Sequence, residues 1–589
     1  MDRNNADNKF KWDLSDIYSN DSEWKKDFDY LEKNCEKFLT FKGKLGDKKT
    51  LKEYNDFSRD YMNILEKVFL YSFLNHDVNL KEGKYIEQRG MLENLETKIA
   101  SLTAYVTPEL ASLPEEYIKS LTEDSDFEYH KMSYQSILDN KKHILSEKEE
   151  NIMSLMGNFA GGFSNIFDSL TESDMKFDPV IIDGEEKKLT IENLGVYLTN
   201  PNREVRRQAF KNIYKSFDQF AFTIANTYIY NLKLNSFDLK LRNYSSLLEA
   251  SLEGSKIPEK VYYNLIENVN KHVDLMHRYY SVMKKKLSLD DFAIYDTYMS
   301  IFDKPKANYT VDEQFEIVKK AVAPLGNDYL DVLENNVLKE HWIDAYSNDN
   351  KAGGGYCIAV YLSHPYVLLN DNGDYNSIST MAHELGHAMH SYYSNKNQPS
   401  ELAGYSIFVA EVASTVNEIL LNKYMIKNSK TEEEKLYYID QYIKTLKGTV
   451  YRQTMFSEFE DYAHKLCENQ TPLSQQIFDK KYLELNHHYF GDDVVIEDDI
   501  KHEWSRISHF YRPYYVYKYA TSFTCACYIA NSILMGKEGA LENYKNLLKS
   551  GGNDWPNNIL KKVGIDLENS EPYDIMFNDL ENLIKEIEK

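Results

Sequence analysis

The sequence predicts a mainly α-helical protein that contains a small β element. Apolar residues recur at helical spacing in long segments along the 589-residue chain. Two short β-prone runs, Gly353–Leu362 and Tyr366–Leu369, come directly before the most distinctive helical segment. A separate hairpin is predicted, because Asp183-Gly184 lies between two further β-prone runs, Phe177–Ile182 and Leu189–Ile191.

Amphipathic patterns define the longest predicted helices. They cover five segments: Ser22–Leu39, Leu51–Leu74, Arg203–Leu239, Pro258–Lys286 and Val311–Val322. The polar, tyrosine-rich faces of these segments are typical of ordinary solvated surface. Pro108 and Pro114 mark a boundary after the first helical region.

The composition argues against several classes of protein. A formal net charge of −24 disfavours nucleic acid or an anionic membrane as a partner, because both bind basic surfaces. No segment approaches ~20 uninterrupted apolar residues, the length that spans a bilayer, and residues 1–7 lack the apolar core of a signal peptide. Five scattered cysteines favour a reducing cytoplasm over a disulfide framework. The sequence therefore predicts a cytoplasmic protein.

One pentapeptide carries the predicted chemistry. Residues 383–387 form an H-E-x-x-H motif in an apolar helical segment that is expected to start near Ser377. A helix places the imidazoles of His383 and His387 one turn apart on one face, where both can bind one metal ion. Glu384 is then close enough to act on a metal-activated water without being a ligand.

An accidental histidine pair on a surface helix is the simplest alternative. The flanking residues Met381, Ala382 and Leu385 are apolar or small, so the pair is expected to be buried. A metal ion would satisfy both buried rings at once. Gly386 costs a helix about 1 kcal/mol relative to alanine, which indicates that something packs closely against the backbone there.

A third ligand has to come from another position. Tyr393 stands where the metzincin class has its third histidine, which excludes that class. His390 is favoured as a packing or supporting residue, since three ligands on one helix crowd one side of a tetrahedron. Two downstream carboxylates are candidates. Glu401 lies in a proline-containing loop, whereas Glu411 lies in a helix that is apolar almost all round. A charged carboxylate in such a helix is costly unless it has a partner. Glu411 is therefore the predicted ligand. Glu418, two turns later, is placed either to orient a histidine or to lie at an exposed helix end.

The segment before the motif is a candidate for binding an extended chain. Gly354, Gly355 and Tyr356 begin the first of the two predicted strands. A strand beside a metal-binding helix can hold a peptide by strand addition, and glycine lets another backbone approach closely. A flexible turn before a strand explains the glycines equally well.

A tyrosine-rich segment is the last informative stretch. Together with His509 it contains five tyrosines: Tyr511, Tyr514, Tyr515, Tyr517 and Tyr519. Each buried hydroxyl needs a partner, so this density exceeds what a core usually holds. The segment is predicted to present O–H donors and one imidazole to the metal. The alternative is that these tyrosines are ordinary packing residues, in a chain that contains 47 tyrosines in all.

Together these motifs resemble those of the oligoendopeptidase F proteins, within the thimet-oligopeptidase group of zinc metallopeptidases. The resemblance follows a fixed order along nearly the whole sequence: Trp12-Asp13-Leu14, Gly354-Gly355-Tyr356, Pro365–Asn370, His383–His390, Phe408–Ser414 and His509–Tyr519. It implies a mainly helical, two-lobed metallopeptidase that encloses a deep substrate channel, with the small β element beside the zinc helix.

The resemblance also implies roles for single residues. One Zn²⁺ per chain would be held by three ligands: His383, His387 and Glu411. The general base would be Glu384, and three further groups would lie near the scissile carbonyl: His509, Tyr514 and Tyr517. Tyr511 is a possible substitute for one of these tyrosines, and Co²⁺ or Mn²⁺ could replace zinc at such ligands.

The predicted organisation has three regions: an N-terminal helical region (1–110), an N-terminal lobe with a short hairpin (111–195) and a catalytic domain (196–589). The predicted function is zinc-dependent hydrolysis of internal bonds in short oligopeptides, with Glu384 as the base. Peptides are the expected partners, and nucleic acid and membranes are not. The alternatives are a zinc carboxypeptidase or dipeptidase on a similar scaffold, and a peptide-binding homologue without catalysis.

Overall fold

The structure is a computed structural model that describes Arg3, Asp7–Pro305 and Asn308–Lys589. The expectation of no signal peptide rests on residues 1–7, most of which lie outside the described part. The described chain is mainly helical with short strands, which confirms the predicted fold class. No described helix combines the length and the apolar character needed to cross a bilayer.

The helices in the first half of the chain have the following bounds: α1 (Asp21–Asn34), α2 (Lys48–Val78), α3 (Gly83–Thr103), α4 (Val106–Ser112), α5 (Glu115–Thr122), α6 (Lys131–Asn140), α7 (Glu147–Ala160), α8 (Gly162–Asp168), α9 (Leu194–Leu198), α10 (Arg203–Gln219), α11 (Ala221–Leu241), α12 (Leu247–Glu253), α13 (Glu259–Lys271) and α14 (Val273–Lys286). The later helices are α15 (Val311–Ala321), α16 (Asn327–Val332), α17 (Tyr375–Asn397), α18 (Ser400–Ala403), α19 (Ile407–Lys427), α20 (Glu432–Leu446), α21 (Arg452–Glu468), α22 (Gln475–Phe490), α23 (Tyr517–Leu534), α24 (Ala540–Ser550), α25 (Pro556–Lys562) and α26 (Glu571–Glu588).

The chain divides into two compact units, and each is assembled from segments that are distant in sequence. The first unit has three segments: Met1–Glu147, Lys306–Tyr424 and Ile529–Ile565. The second unit has the other three: Lys148–Pro305, Met425–Tyr528 and Asp566–Lys589. The division of the sequence into three consecutive regions stays a prediction, as does the substrate channel.

The second unit contains the predicted hairpin. β1 (Val180–Ile182) and β2 (Glu185–Lys187) pair antiparallel. Asp183 and Gly184 connect them with φ angles of 53° and 83°, the left-handed conformation that an Asp-Gly turn between two strands requires. The hairpin and its turn are confirmed, but the second strand lies at Glu185–Lys187 and not at the predicted run Leu189–Ile191.

The first unit contains a sheet of three short strands in the order β3-β5-β4. β3 (Ile343–Asp344) runs parallel to β5 (Tyr366–Leu368), and β4 (Tyr356–Ile358) runs antiparallel to β5. The two strands predicted before the motif are therefore present as β4 and β5, whereas β3 escaped prediction. β4 lies at one edge of this sheet.

Two of the predicted long helices are interrupted. The predicted helix Arg203–Leu239 is divided at Phe220 into α10 and α11, and the predicted helix Pro258–Lys286 is divided at His272 into α13 and α14. At Phe220 the backbone has φ −107° and ψ 9°, and at His272 it has φ −116° and ψ 18°. A break of one residue barely disturbs the spacing of apolar residues, so periodicity does not reveal it.

Candidate metal centre

Two helices of the first unit, α17 and α19, carry the candidate metal centre. α17 begins at Tyr375, two residues before the predicted start, because Asp374 caps it by accepting a 3.0 Å hydrogen bond from the Ser377 amide. The apolar side chains Met381 and Leu385 are completely buried. Packing of this apolar face therefore fixes the helix that carries both motif histidines.

The backbones of α17 and α19 come into direct contact at Gly386. A Cβ atom on Gly386 would lie 2.5 Å from Ser414 Cα and 2.7 Å from the Ala413 carbonyl oxygen. Near this contact, Asn417 Nδ2 donates a 3.0 Å hydrogen bond to the Ala382 carbonyl oxygen. The prediction that something packs closely against Gly386 is confirmed, and glycine is the residue that permits it.

We expect Gly386→Ala to lower the free energy of unfolding by about 1–3 kcal/mol, the usual penalty for overpacking. The backbone atoms of Ser414 cannot move aside as the end of a flexible side chain would. Gly90→Ala is the matched control: Gly90 lies inside α3 with no atom within 4 Å of its added Cβ, so that change should stabilise by up to about 1 kcal/mol. Denaturant unfolding measures both, and equal effects of the two changes would contradict the packing described here.

The donor atoms of His383, His387 and Glu411 face one another. The two Nε2 atoms are 3.2 Å apart, and Glu411 Oε2 lies 3.5 Å from each. Ligands held at about 2.1 Å from zinc at tetrahedral angles are about 3.4 Å apart. The three donors thus occupy three corners of a tetrahedron of the right size for zinc. Among the described residues, this is the only such group of histidine, cysteine and acidic side chains.

Carboxylates surround the two imidazoles. Burial disfavours the charged form of His383, but a hydrogen bond with Glu418 and the charges of neighbouring carboxylates raise its pKa to about 9. Burial also disfavours the charged form of Glu411 and so acts to raise its pKa, yet the two imidazoles hold the pKa of this carboxyl at about 2. Three carboxylates around two imidazoles, with Glu384 the third, make a locally negative site that favours a cation.

Glu418 orients His383. Its Oε1 lies 2.9 Å from His383 Nδ1, on the side of the ring opposite the group of donors. When Nδ1–H donates to this carboxylate, Nε2 keeps its lone pair for a metal ion. Of the two interpretations of Glu418, the structure favours the orienting residue over an exposed helix end.

The other polar candidates on these helices lie outside the group of three. Burial raises the pKa of Glu384 more than the two neighbouring imidazoles lower it, which suits a residue that takes and returns a proton. His390 is buried and stacks on Tyr405 with ring centroids 3.7 Å apart, as expected for a packing residue. Glu401 lies in α18 rather than in a loop and pairs with Arg59 at 3.7 Å.

Of the two predicted glycines, Gly355 lies against α17. A Cβ atom on Gly355 would lie 2.8 Å from Thr380 Cγ2, and Thr380 precedes His383 by one turn of α17. Gly354 has φ 79° with open space around it. The hydroxyl of Tyr356 donates a 3.0 Å hydrogen bond to Asp77 Oδ2, so this side chain belongs to the packing of the first unit.

The late tyrosine-rich segment belongs to the second unit. His509 is exposed, and its ring lies 6.0 Å from that of Tyr515 and 6.2 Å from that of Tyr519. Partial burial and the charge of Arg512 lower the pKa of His509. Tyr515 and Tyr519 are thus the neighbours of His509, although neither has a predicted role of its own.

The two predicted tyrosines are buried instead. Tyr514 is 2% exposed, its hydroxyl donates to Asp461 Oδ1 at 3.2 Å, and its ring stacks on His464. Tyr517 is 0% exposed, and its ring lies 5.3 Å from that of Tyr262. The roles assigned to Tyr514 and Tyr517 stay predictions. Tyr511, the possible substitute, shares a 2.6 Å hydrogen bond with Thr227.

Comparisons with known proteins find a matching family and full-length relatives. The sequence model of Peptidase family M3 matches residues 196–579, and that of Oligopeptidase F matches residues 109–177. The oligopeptidase PepF of Bacillus subtilis is 36% identical, with 100% of this chain and 88% of the relative covered. The group B oligopeptidase PepB of Streptococcus agalactiae is 33% identical, with 100% and 98% covered.

Solved structures share the fold over almost the full length. A structure from Chlamydophila abortus has a TM-score of 0.93 at 32% identity and covers 99% of both chains. Oligoendopeptidase-F from Enterococcus faecium has a TM-score of 0.73 at 29% identity, with 97% of this chain and 99% of that chain covered. The resemblance found in the sequence is confirmed: the chain belongs to Peptidase family M3, the family of metallopeptidases that includes the oligoendopeptidase F proteins.

Proposed function

We propose that the chain is a zinc endopeptidase that hydrolyses internal bonds of short peptides. The observation that carries this proposal is the set of three donors at tetrahedral spacing, with a buried glutamate next to one of them in sequence. Relatives that align over the full length of the chain are named oligopeptidases, which supports short peptides as the substrates.

A zinc ion held by His383, His387 and Glu411 would lower the pKa of water toward ~7 and polarise the scissile carbonyl. Glu384 takes the proton of the attacking water and then gives it to the leaving amine. Its raised pKa brings the carboxylate closer to the operating pH, where both transfers are efficient. Glu418 keeps the ring of His383 in the orientation that this arrangement requires.

Strand β4 is the proposed support for an extended substrate. It is an edge strand of its sheet, so its outer backbone groups can pair with a peptide by strand addition. Gly355 lets this strand lie against α17, the helix that carries both histidines. Gly354 contributes open space, whereas Tyr356 contributes to the proposal only through its backbone.

His509 and tyrosine hydroxyls from its segment are the proposed donors to the oxyanion, a role worth about 10²–10³-fold per donor in comparable sites. Tyr514 and Tyr517 remain the proposed tyrosines on the strength of the resemblance. Tyr515 and Tyr519 join them as candidates because their rings lie beside an exposed imidazole.

One assay separates the endopeptidase from its alternatives. We expect an internally quenched peptide of about eight residues to be cleaved at an internal bond, at equal rates with a free and an amidated C-terminus. A carboxypeptidase or dipeptidase needs the free carboxylate, so loss of cleavage on amidation would contradict the proposal. No cleavage by the zinc-loaded protein would instead support the catalytically silent homologue.

A further inference from the structure

A cavity of about 210 Å³ lies within the second unit, and none of its lining residues belongs to the candidate metal centre. Aromatic side chains make up much of its wall: Tyr280, Tyr298, Tyr451, Tyr489 and Phe490. Three cationic side chains also line it: Lys444, Lys447 and Arg452. An apolar cavity of about 150 Å³ is enough to hold benzene, so this one has room for a single ring and a small polar group.

Lys447 is at the centre of the polar part of this cavity. Its Nζ donates two hydrogen bonds to Thr297, one to the carbonyl oxygen at 2.8 Å and one to Oγ1 at 3.0 Å. An ammonium group has three donors, so one remains for a ligand. The rings of Tyr298, Tyr280 and Phe490 surround Nζ, with centroids 5.0, 5.4 and 5.9 Å away.

The two carboxylates nearest Lys447 pair with its cationic neighbours. Lys444 pairs with Asp440 at 2.9 Å, and Arg452 pairs with Glu503 at 2.8 Å. Among the described residues, no carboxylate forms an ion pair with Lys447. Burial, together with the charges of Lys444 and Arg452, lowers the pKa of Lys447 to about 7, although the nearby carboxylates Asp440 and Glu503 act to raise it. An anion in the cavity would restore the charged form of this amine.

Two tyrosine hydroxyls provide further donors. Tyr280 and Tyr298 line the cavity, and within the described part of the chain neither hydroxyl makes a hydrogen bond. The backbone that carries Lys447 is also unusual, because Lys447–Tyr451 forms a π-helical turn between α20 and α21. Such turns occur frequently at functional sites.

We propose that this cavity binds a small organic acid, with the carboxylate on Lys447 and one aromatic or branched apolar group among the tyrosine rings. A small free acid fits this volume as a whole, whereas a peptide could place only its C-terminal residue inside. This site lies outside the machinery proposed for peptide hydrolysis.

The test is calorimetric titration of the zinc-loaded protein with 3-phenylpropionate, its neutral analogue 3-phenylpropanamide, and the peptide Gly-Gly-Phe. We expect the acid to bind at least about tenfold more tightly than either of the other probes, a margin typical of one charge-assisted hydrogen bond. Lys447→Met should lose at least tenfold in affinity for the acid. Lys480→Met is the matched control, since Lys480 is 81% exposed outside the cavity and its loss should change nothing.

Two further measurements keep the result interpretable. Thermal unfolding of Lys447→Met should stay cooperative and close to that of the wild type, because removal of a poorly solvated charge offsets the loss of two hydrogen bonds to Thr297. Binding should weaken at least about tenfold between pH 6 and pH 8.5, since the amine loses its proton over that range. Equal affinity for acid and amide, or an affinity for the acid that Lys447→Met leaves unchanged, would overturn the proposal. An affinity that Lys447→Met leaves unchanged would mean that the acid binds at another site, for example at the zinc ion. Tighter binding of Gly-Gly-Phe would also overturn it, by making a peptide end the ligand.

Discussion

Glu411→Gln is expected to release the metal ion and to abolish peptide hydrolysis. The amide keeps the size of the side chain but removes the negative charge that would bind a cation beside the two imidazoles. Loss of the metal removes several kcal/mol of transition-state stabilisation, so the activity should fall by at least about 10³-fold. Elemental analysis of the dialysed protein and the quenched-peptide assay measure the two effects.

Glu401→Gln is the matched control for this change. Glu401 is the other downstream carboxylate that the sequence offered as a ligand, and it pairs with Arg59 instead. We expect this variant to keep one metal ion per chain and its activity within about twofold of the wild type, since Glu401 is not one of the three donors. If Glu401→Gln lost the metal and Glu411→Gln kept it, the assignment of the third ligand would be wrong.

Glu384→Gln is expected to separate metal binding from catalysis. The variant should keep its metal ion and its KM, because Glu384 is not one of the three donors. Its kcat should fall by about 10²–10⁴-fold, the contribution of a positioned base. A fall in kcat at constant KM identifies a group that acts only in the transition state.

His390→Asn gives a comparison at a buried polar position of the same helix. His390 packs on Tyr405 and takes no part in proton transfer in this account. Its loss should lower stability and leave kcat within about tenfold of the wild type for the folded protein, a smaller effect than the loss of the base. Full activity in Glu384→Gln would contradict the assignment of Glu384 as the general base.

Much of the candidate metal centre could be predicted from local sequence because its requirements are local. Two histidines four residues apart share a helix face in any sequence, and the apolar flanks fixed α17 in the interior. Glu411 was predictable because an isolated carboxylate in an apolar helix needs a partner. Gly386 indicated a close contact, and the contact proved to be the backbone of α19.

Other features depend on contacts between distant segments, which sequence patterns do not encode. Glu418 contacts His383 although 35 positions of the chain separate them. The sequence alone therefore could not distinguish a residue that orients His383 from one at an exposed helix end. β3 has only two residues, and it is a strand only because it pairs with β5. The cavity around Lys447 likewise depends on how α14, α20 and α22 come together.

The late tyrosines illustrate a different limit. Tyr514 has φ 51°, a left-handed conformation that is uncommon for a side chain of this size. This conformation turns the Tyr514 ring onto His464 and leaves the next tyrosine, Tyr515, beside His509. Spacing along the sequence assumes regular backbone, so it could not tell these neighbouring tyrosines apart.

The most direct test of the central claim is a crystal structure with anomalous diffraction recorded on both sides of the zinc absorption edge. We predict one zinc peak per chain, about 2.0–2.2 Å from His383 Nε2, His387 Nε2 and a carboxylate oxygen of Glu411. A peak bound elsewhere, or none at these three side chains in active protein, would contradict the account.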